Sequence, residues 1–464
     1  MRQPARNGMA SQVRHAAQAA MKDQDLCFGK LLPAEQAEAA IRRNKVAFRD
    51  CLYTPLVTLW TFLYQVLSPD QSCRAAVARL LAFLGRAGDA QASAKTDPYC
   101  KARARQPENV IAELTRQSGA EVHEAVPPTG LLGGRPIKLG DGSTASMPDT
   151  PANRAAYPPS SSSKPGVGFP LLRLVALISL SAGTVLDVAL GPYSGKQTGE
   201  TALLRQLLGG LRPGDIFLGD AIFANYWMIA LLLGRGVDVV CRHDGKRRAD
   251  FRTGRRLGPK DHVITWTKPP RPQWMDVPCY QRCPETLTIR QLNVAVQPRG
   301  FRVRRVVLVT TLLDELRYPA AELAAAYRLR WYAELDLRSI KCVMRMDVLR
   351  CQSPAMVRKE IWMHLLAYNL VRKLMAQAAV SAGCAPRQIS FTGTLQTLLA
   401  FAAVGWGGWG GWTEGLYRQI LRAVATHRVG DRPNRVEPRA VKRRAKKHTL
   451  LNEPRAIARA RLLK

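Results

Sequence analysis

Acid is what this chain is short of. Its 464 residues hold 35 Asp plus Glu against 69 Lys plus Arg, a formal charge of +34 at pH 7. Such an excess repels itself in a compact state and makes sense beside a polyanion, of which nucleic acid is the first reading. Long apolar runs are also missing. The best stretch, Leu174 to Leu190, is broken by Gly183 and Asp187 and diluted by Ser179, Ser181 and Thr184. It reads as a hairpin turning at Ser181-Ala182-Gly183, not as a membrane span. No signal-peptide apolar core and no basic amphipathic helix of the peripheral type stand out, so no membrane partner is expected. The ten cysteines are scattered, which argues against a disulfide framework. Cys279 and Cys283 have no second pair or histidine cluster to complete a zinc site. Hydrophobic residues, at 47%, are plentiful enough for a globular chain of several domains.

The apolar pattern divides the chain. Residues 1–45 are polar and rich in Ala and Arg. Residues 46–123 read as a compact basic helical domain, with a dense apolar stretch from Val57 to Leu67 and Arg74, Arg79 and Arg86 spaced through the next one. That composition fits a DNA-binding domain and fits equally a plain helical domain with solvated arginines. Residues 124–136 are a Pro/Gly-rich linker. From 137 the pattern alternates. Strands are predicted at Ile137–Leu139, Leu171–Ser181, Thr184–Leu190, Asp215–Leu218 and Val237–Cys241, with helices at Gly199–Leu211 and Asn225–Leu233. Three strands, helix, strand, helix, strand is the order of a ribonuclease-H-like sheet, and that core is predicted over 137–242 and 319–385. Between its parts, residues 243–318 read as an all-β insertion, with strand candidates at Val263–Trp266, Leu287–Arg290 and Val303–Leu313. Lys359 to Ala376 is a strongly periodic helix. The C-terminal region, 386–464, holds a Trp/Gly run at 405–412, read as a packed loop. It ends in a basic tail with Lys442-Arg443-Arg444 and Lys446-Lys447.

Three acids occupy places where acids do chemistry. Asp141 and Asp220 are each predicted to end a strand beside a glycine. Glu334 lies in 319–341, a stretch of helix formers with Pro319 where a first turn would begin. Read as one continuous helix at about 100° per residue, this stretch puts Arg330, Glu334 and Lys341 within roughly 20–60° of Tyr327 around the axis. Plainer readings exist: a solvated helix face for the stripe, an Asp-Gly turn for Asp141, and a helix N-cap for Asp220. Their joint appearance on so basic a chain favours a site. Two aspartates and a glutamate are hard oxygen ligands suited to Mg²⁺ or Mn²⁺, and two such ions about 3.5–4 Å apart clamp an in-line phosphoryl transfer. Arg330 and Lys341 beside the carboxylate would grip the flanking phosphates.

The spaced set Tyr327, Arg330, Glu334 and Lys341 resembles the signature of the insertion-sequence-four family of DDE transposases. Asp141-Gly142-Ser143-Thr144 resembles the family's first-aspartate segment, and Gly219-Asp220-Ala221-Ile222-Phe223 its second. Thr310-Thr311-Leu312-Leu313-Asp314, Leu366-Ala367-Tyr368-Asn369-Leu370 and Thr58-Leu59-Trp60-Thr61-Phe62-Leu63 are similar too, so the resemblance covers roughly residues 45–380. Ala221 departs from it, standing where a basic residue is expected. The resemblance implies a ribonuclease-H-like catalytic domain with a β insertion. It implies Asp141, Asp220 and Glu334 as catalytic metal ligands, and Tyr327, Arg330 and Lys341 as DNA contacts. Cut-and-paste cleavage of terminal inverted repeats through a DNA hairpin, insertion into target DNA, a synaptic homodimer, and action on the nucleoid in a prokaryotic cytoplasm follow as expectations. So does an insertion-domain tryptophan that fills the gap left by an extruded base. Trp266 is the first candidate and Trp274 the second, with a packed core tryptophan as the plainer reading. The competing functions are a cleavage-inactive DNA-binding derivative, which has no need of all three carboxylates, and a structure-selective nuclease of the same fold.

Overall fold

The computed structural model describes residues 29–48, 51–86, 92–162, 164, 166–245, 247, 249–295, 305–405, 414–430 and 451–463. The Trp/Gly run from Trp406, the basic clusters at 442–447 and the first 28 residues lie outside them. The chain forms two compact units. One comprises Met1–Pro127, Ser181–Leu186 and Arg338–Val429, the other Pro128–Leu180, Asp187–Leu337 and Gly430–Lys464.

The first unit is helical. Pro55–Leu67 is buried along its whole length, as an all-round apolar sequence dictates, and Thr54 caps it by accepting from the Val57 amide at 3.3 Å. The longest helix, Pro354–Ser381, has 28 residues and packs on Glu108–Ala125 and on Pro55–Leu67. Gly119 allows a close approach there, since a Cβ at that position would lie 2.2 Å from the Val185 carbonyl oxygen. The polar members of Leu366-Ala367-Tyr368-Asn369-Leu370 hold the turn Ser181–Leu186. Tyr368 donates to the Gly183 carbonyl at 2.8 Å. Asn369 accepts from the Val185 amide at 2.9 Å and donates to the Val185 and Thr115 carbonyls at 2.8 and 2.9 Å. Every polar atom of that buried amide is thereby used.

The second unit is built on one nine-stranded sheet. Its strands are β1 (Ile137–Ser146), β2 (Leu171–Ser179), β3 (Val185–Pro192), β4 (Ile216–Gly219), β5 (Asp238–Arg242), β6 (Arg255–Gly258), β7 (Asp261–Thr267), β8 (Thr286–Ala295) and β9 (Arg305–Thr310), in the order β3-β2-β1-β4-β5-β9-β8-β7-β6. β1 runs antiparallel to β2 and parallel to β4, and β4 runs parallel to β5. Helices Glu200–Gln206 and Tyr226–Leu233 fall where the pattern predicts them.

Three readings need correction. β1 does not end at Gly140-Asp141-Gly142; it runs through Asp141 to Ser146, paired with β2 all the way, so Asp141 is not a turn residue. The region 243–318 is not all β. It contains the helix Val277–Arg282, started by Asp276, whose carboxylate accepts from the Cys279 amide at 2.7 Å, with Pro278 in the first turn. Its strands continue the one sheet: β9 pairs antiparallel with β5, and β8, β7 and β6 extend it. Arg290 on β8 anchors this extension. It donates to both Asp261 carboxylate oxygens at 2.8 and 2.6 Å and to the Tyr318 carbonyl at 2.7 Å, just before Pro319. Finally, 319–341 is not one helix. Ala320–Arg328 and Trp331–Arg338 are joined by tight i+3 turns, with Leu329 bonded to Ala326, Arg330 to Tyr327, Tyr332 to Leu329 and Ala333 to Arg330. Ser339–Val343 then widens to π geometry. Uniform 100° arithmetic fails where the turn tightens and widens.

Candidate active site

Pairing register assembles the first half of the site. Gly140 on β1 stands opposite Gly219 on parallel β4, so Asp141, within β1, and Asp220, just past the end of β4, come side by side. Both glycines are required by one ring. A Cβ on Gly140 would lie 2.4 Å from the Phe217 ring, and one on Gly219 2.6 Å from it. Strand alternation puts the two aspartates on the face away from that aromatic floor. Asp141 accepts from its neighbour Gly142 at 2.9 Å. Asp220 accepts from the Ala221 amide at 2.7 Å and starts the short 3₁₀ turn Ala221–Phe223, so its capping role is real.

The second half comes from the broken helix. Arg330, at the tight turn, donates through Nη2 to Glu334 Oε1 at 2.6 Å, and its Nη1 lies 3.9 Å from Asp141 Oδ2. Tyr327 is buried in the preceding helix. Burial pushes the Asp141 carboxyl up to about 6, opposed by Arg330 and by the Gly142 amide and reinforced by Glu334 and Glu200. Burial works against the Arg330 charge. The nearby Tyr327, the hydrogen bond to Glu334 and the charges of Asp220 and Asp141 outweigh it and hold the guanidinium above its ordinary value. Burial likewise holds the Tyr327 hydroxyl above its usual range.

A family model described as Transposase DDE domain matches residues 133–370, which span both aspartates and Glu334. The chain belongs to the DDE transposase family. Its relatives agree. Transposase InsG of insertion sequence element IS4, from Escherichia coli strain K12, is 27% identical over 316 residues, 66% of this chain and 68% of that protein. The transposase of insertion sequence element IS421, from Escherichia coli, is 34% identical over 82 residues, 18% of this chain and 22% of that protein. Among solved structures, the cryo-EM structure of a piggyBac transposase synaptic complex with hairpin DNA aligns with 87% of this chain and 85% of its own. At 11% identity and a TM-score of 0.43 it is too distant to assign a fold. This DDE transposase is of the insertion-sequence-four kind, a DNA-binding enzyme of DNA cleavage and strand transfer, and such enzymes use divalent metal ions.

The donors fit such an ion in kind but are not closed around one. Among the described residues no group of three or more His, Cys, Asp or Glu is close enough to hold a metal. Where Asp141 and Glu334 would share a cation, the transposase supplies its own guanidinium. Lys341 is half-buried in the π turn and belongs to the helical unit, where Gln71 donates to the nearby Met344 carbonyl at 2.8 Å. Trp266 is only 3% exposed on β7, with Arg247 4.2 Å from its ring centroid. Trp274 is half-buried under Arg205, 3.8 Å from its centroid.

Two residues escaped the sequence reading. Trp331, next to Arg330, is 53% exposed. Its position straight after the signature arginine was the available signal. Glu200 starts the helix Glu200–Gln206, and its carboxyl lies against Gly142, where a Cβ would be 2.4 Å from it. Burial raises the Glu200 pKa, with Arg173 opposing and Asp220 adding to the shift. No spacing rule links Glu200 to Gly142; only the packing of that helix on the sheet does. Among the described residues no helix is long and apolar enough to cross a membrane.

Proposed function

We propose that Asp141, Asp220 and Glu334 are the catalytic carboxylates of a ribonuclease-H-like core that cuts terminal inverted repeats and joins them to target DNA. The observation that carries this reading is the Gly140–Gly219 register, which sets two aspartates side by side, together with Arg330 bonded to Glu334 and approaching Asp141. The order β3-β2-β1-β4-β5, with β1, β4 and β5 mutually parallel and β2 antiparallel to β1, supports the core assignment. The carboxylates would hold Mg²⁺ or Mn²⁺, two ions in all. When bound, these lower the barrier of phosphoryl transfer by polarising the phosphate and activating the attacking oxygen.

The chain's own residues do the rest. Asp141 and Asp220, fixed by the sheet, orient the ligand oxygens. Arg330 carries a forked donor matched to a phosphate and grips the DNA backbone beside the cut, and Lys341 is a further DNA contact on the helical unit. Tyr327, buried one turn before Arg330, is a further proposed contact to DNA at the cleaved end. Trp331 offers an exposed ring on which a base leaving the stack can rest, a place Trp266 is too buried to offer and for which Trp274 is the other candidate. The hairpin route, the synaptic homodimer and action on a prokaryotic nucleoid belong to the same reading. The test is incubation with labelled repeat-end duplex and Mg²⁺. Hairpin and strand-transfer products are expected. Nicks alone would overturn the hairpin route, and intact bound DNA the catalytic assignment.

A further inference from the structure

Arg330 stands where a metal-bound site has least use for it. One of its nitrogens is hydrogen-bonded to Glu334 Oε1 at 2.6 Å and another approaches Asp141 Oδ2 at 3.9 Å, so it binds one carboxylate and lies near the other. Its side chain is 17% exposed, as is that of Asp141. The Asp141 carboxylate is partly removed from water and Glu334 beside it is 39% exposed, so a cation close to both stabilises their charges. In the ion-free transposase Arg330 is that cation. It cannot share the place with a divalent ion. Such an ion takes oxygen ligands at about 2.0–2.1 Å, and at that range its charge and the guanidinium repel strongly. The arginine therefore has to give up Glu334 before the ion enters, and it needs another anion to receive it. A DNA phosphate diester is the natural one, because guanidinium and phosphate match as a two-pronged pair.

We propose that Arg330 is an internal counter-ion that keeps divalent metal out of the site until DNA draws it away, so that DNA and metal load together. The inference rests on the carboxylate assignment made above. Linkage fixes its form: DNA raises metal affinity by the same factor as metal raises DNA affinity. A fixed structural ion pair would give no such coupling.

The experiment is Mn²⁺ binding to the full chain, read by electron paramagnetic resonance of free Mn²⁺, with and without a pre-cleaved repeat-end duplex that cannot be cut again. Wild type should bind Mn²⁺ weakly alone and about tenfold or more tightly with DNA, within the usual range of coupling between sites. Arg330→Gln and Arg330→Met should both bind Mn²⁺ without DNA about tenfold more tightly than wild type, and DNA should add little further. Arg330→Lys, which keeps the charge, should stay close to wild type. The ligand assignment is checked separately with Glu334→Ala in each background, which should remove the tight site. If wild type and Arg330→Gln bind Mn²⁺ equally without DNA, and Glu334→Ala weakens both, the counter-ion role is overturned and the ligand assignment stands. If no variant binds Mn²⁺ under any condition, the ligand assignment falls and the inference with it.

Discussion

The two halves of the candidate site are made by different physics. The aspartate half is set by backbone pairing. Asp141 and Asp220 are neighbours because Gly140 is opposite Gly219, and a single ring, Phe217, lies against both glycines. The arginine–glutamate half is set by an irregular turn and one ion pair. Tyr327, Arg330 and Glu334 come from a helix that tightens at Leu329 and restarts at Trp331, and the Arg330–Glu334 contact is the link between them. Two paired interior strands hold Asp141 and Asp220 without help from the partner half, whereas the helical half depends on charge balance.

The largest effect should come from removing any of the carboxylates. Asp141→Ala, Asp220→Ala and Glu334→Ala are each expected to lower cleavage of a repeat-end duplex by on the order of a thousandfold or more, while filter binding changes little. Near-normal cleavage by one variant would remove that residue from the site. If only Glu334→Ala kept activity, the two-half picture itself would be wrong.

The rigid half can be broken without touching an acid. Gly140→Ala and Gly219→Ala push a methyl into Phe217 and should each destabilise the transposase by about 1–3 kcal/mol, measured by urea unfolding. Cleavage should fall with them, because both aspartates ride on that register. An unchanged unfolding midpoint for both variants would show that the floor is loosely packed.

Asp141 sharpens the comparison through pH. Its carboxyl is raised to about 6 from an ordinary 3.8, mainly by burial. The folded state therefore keeps this proton after the unfolded state has lost it. Stability of the metal-free protein falls as pH rises from about 4 to 6, and the penalty is complete above 6. Asp141→Asn removes the penalty, so its stability relative to wild type should grow by about 1–2 kcal/mol across that window. Parallel pH profiles for the two proteins would show that Asp141 is not desolvated in solution.

The smallest effects separate the tryptophans by readout. Trp331→Ala should leave the unfolding midpoint within about 0.5 kcal/mol of wild type and slow hairpin closure. Trp266→Ala should instead be felt as lost packing, visible in thermal melts before any DNA is added. Normal closure by Trp331→Ala would leave Trp274 as the aromatic to test next.

Much of the chemistry could be read directly from the residues. The charge excess, three acids at marked places, and the spacing of Tyr327, Arg330, Glu334 and Lys341 are linear facts, and the family assignment they suggest is correct. Helices and strands at 171–241 were legible as well, because apolar alternation and the breakers Arg212-Pro213-Gly214 act over a few residues. The break at Leu329–Arg330 was not, since no glycine or proline marks it. The helix Val277–Arg282 was hidden by strand-like neighbours, although Asp276 and Pro278 carry its start signal.

By itself, then, the sequence determined the family and which acids and cations stand at marked places, and roughly which elements bear them, because residue type and local periodicity are short-range properties. Only the tertiary structure decided that Gly140 meets Gly219, that β9 joins β5 to make one sheet, that Trp266 is buried and Trp331 is not, and that Arg330 reaches toward Asp141. Each of these depends on partners far apart in the chain. Their energies come from side-chain packing and charge pairing that no local pattern encodes.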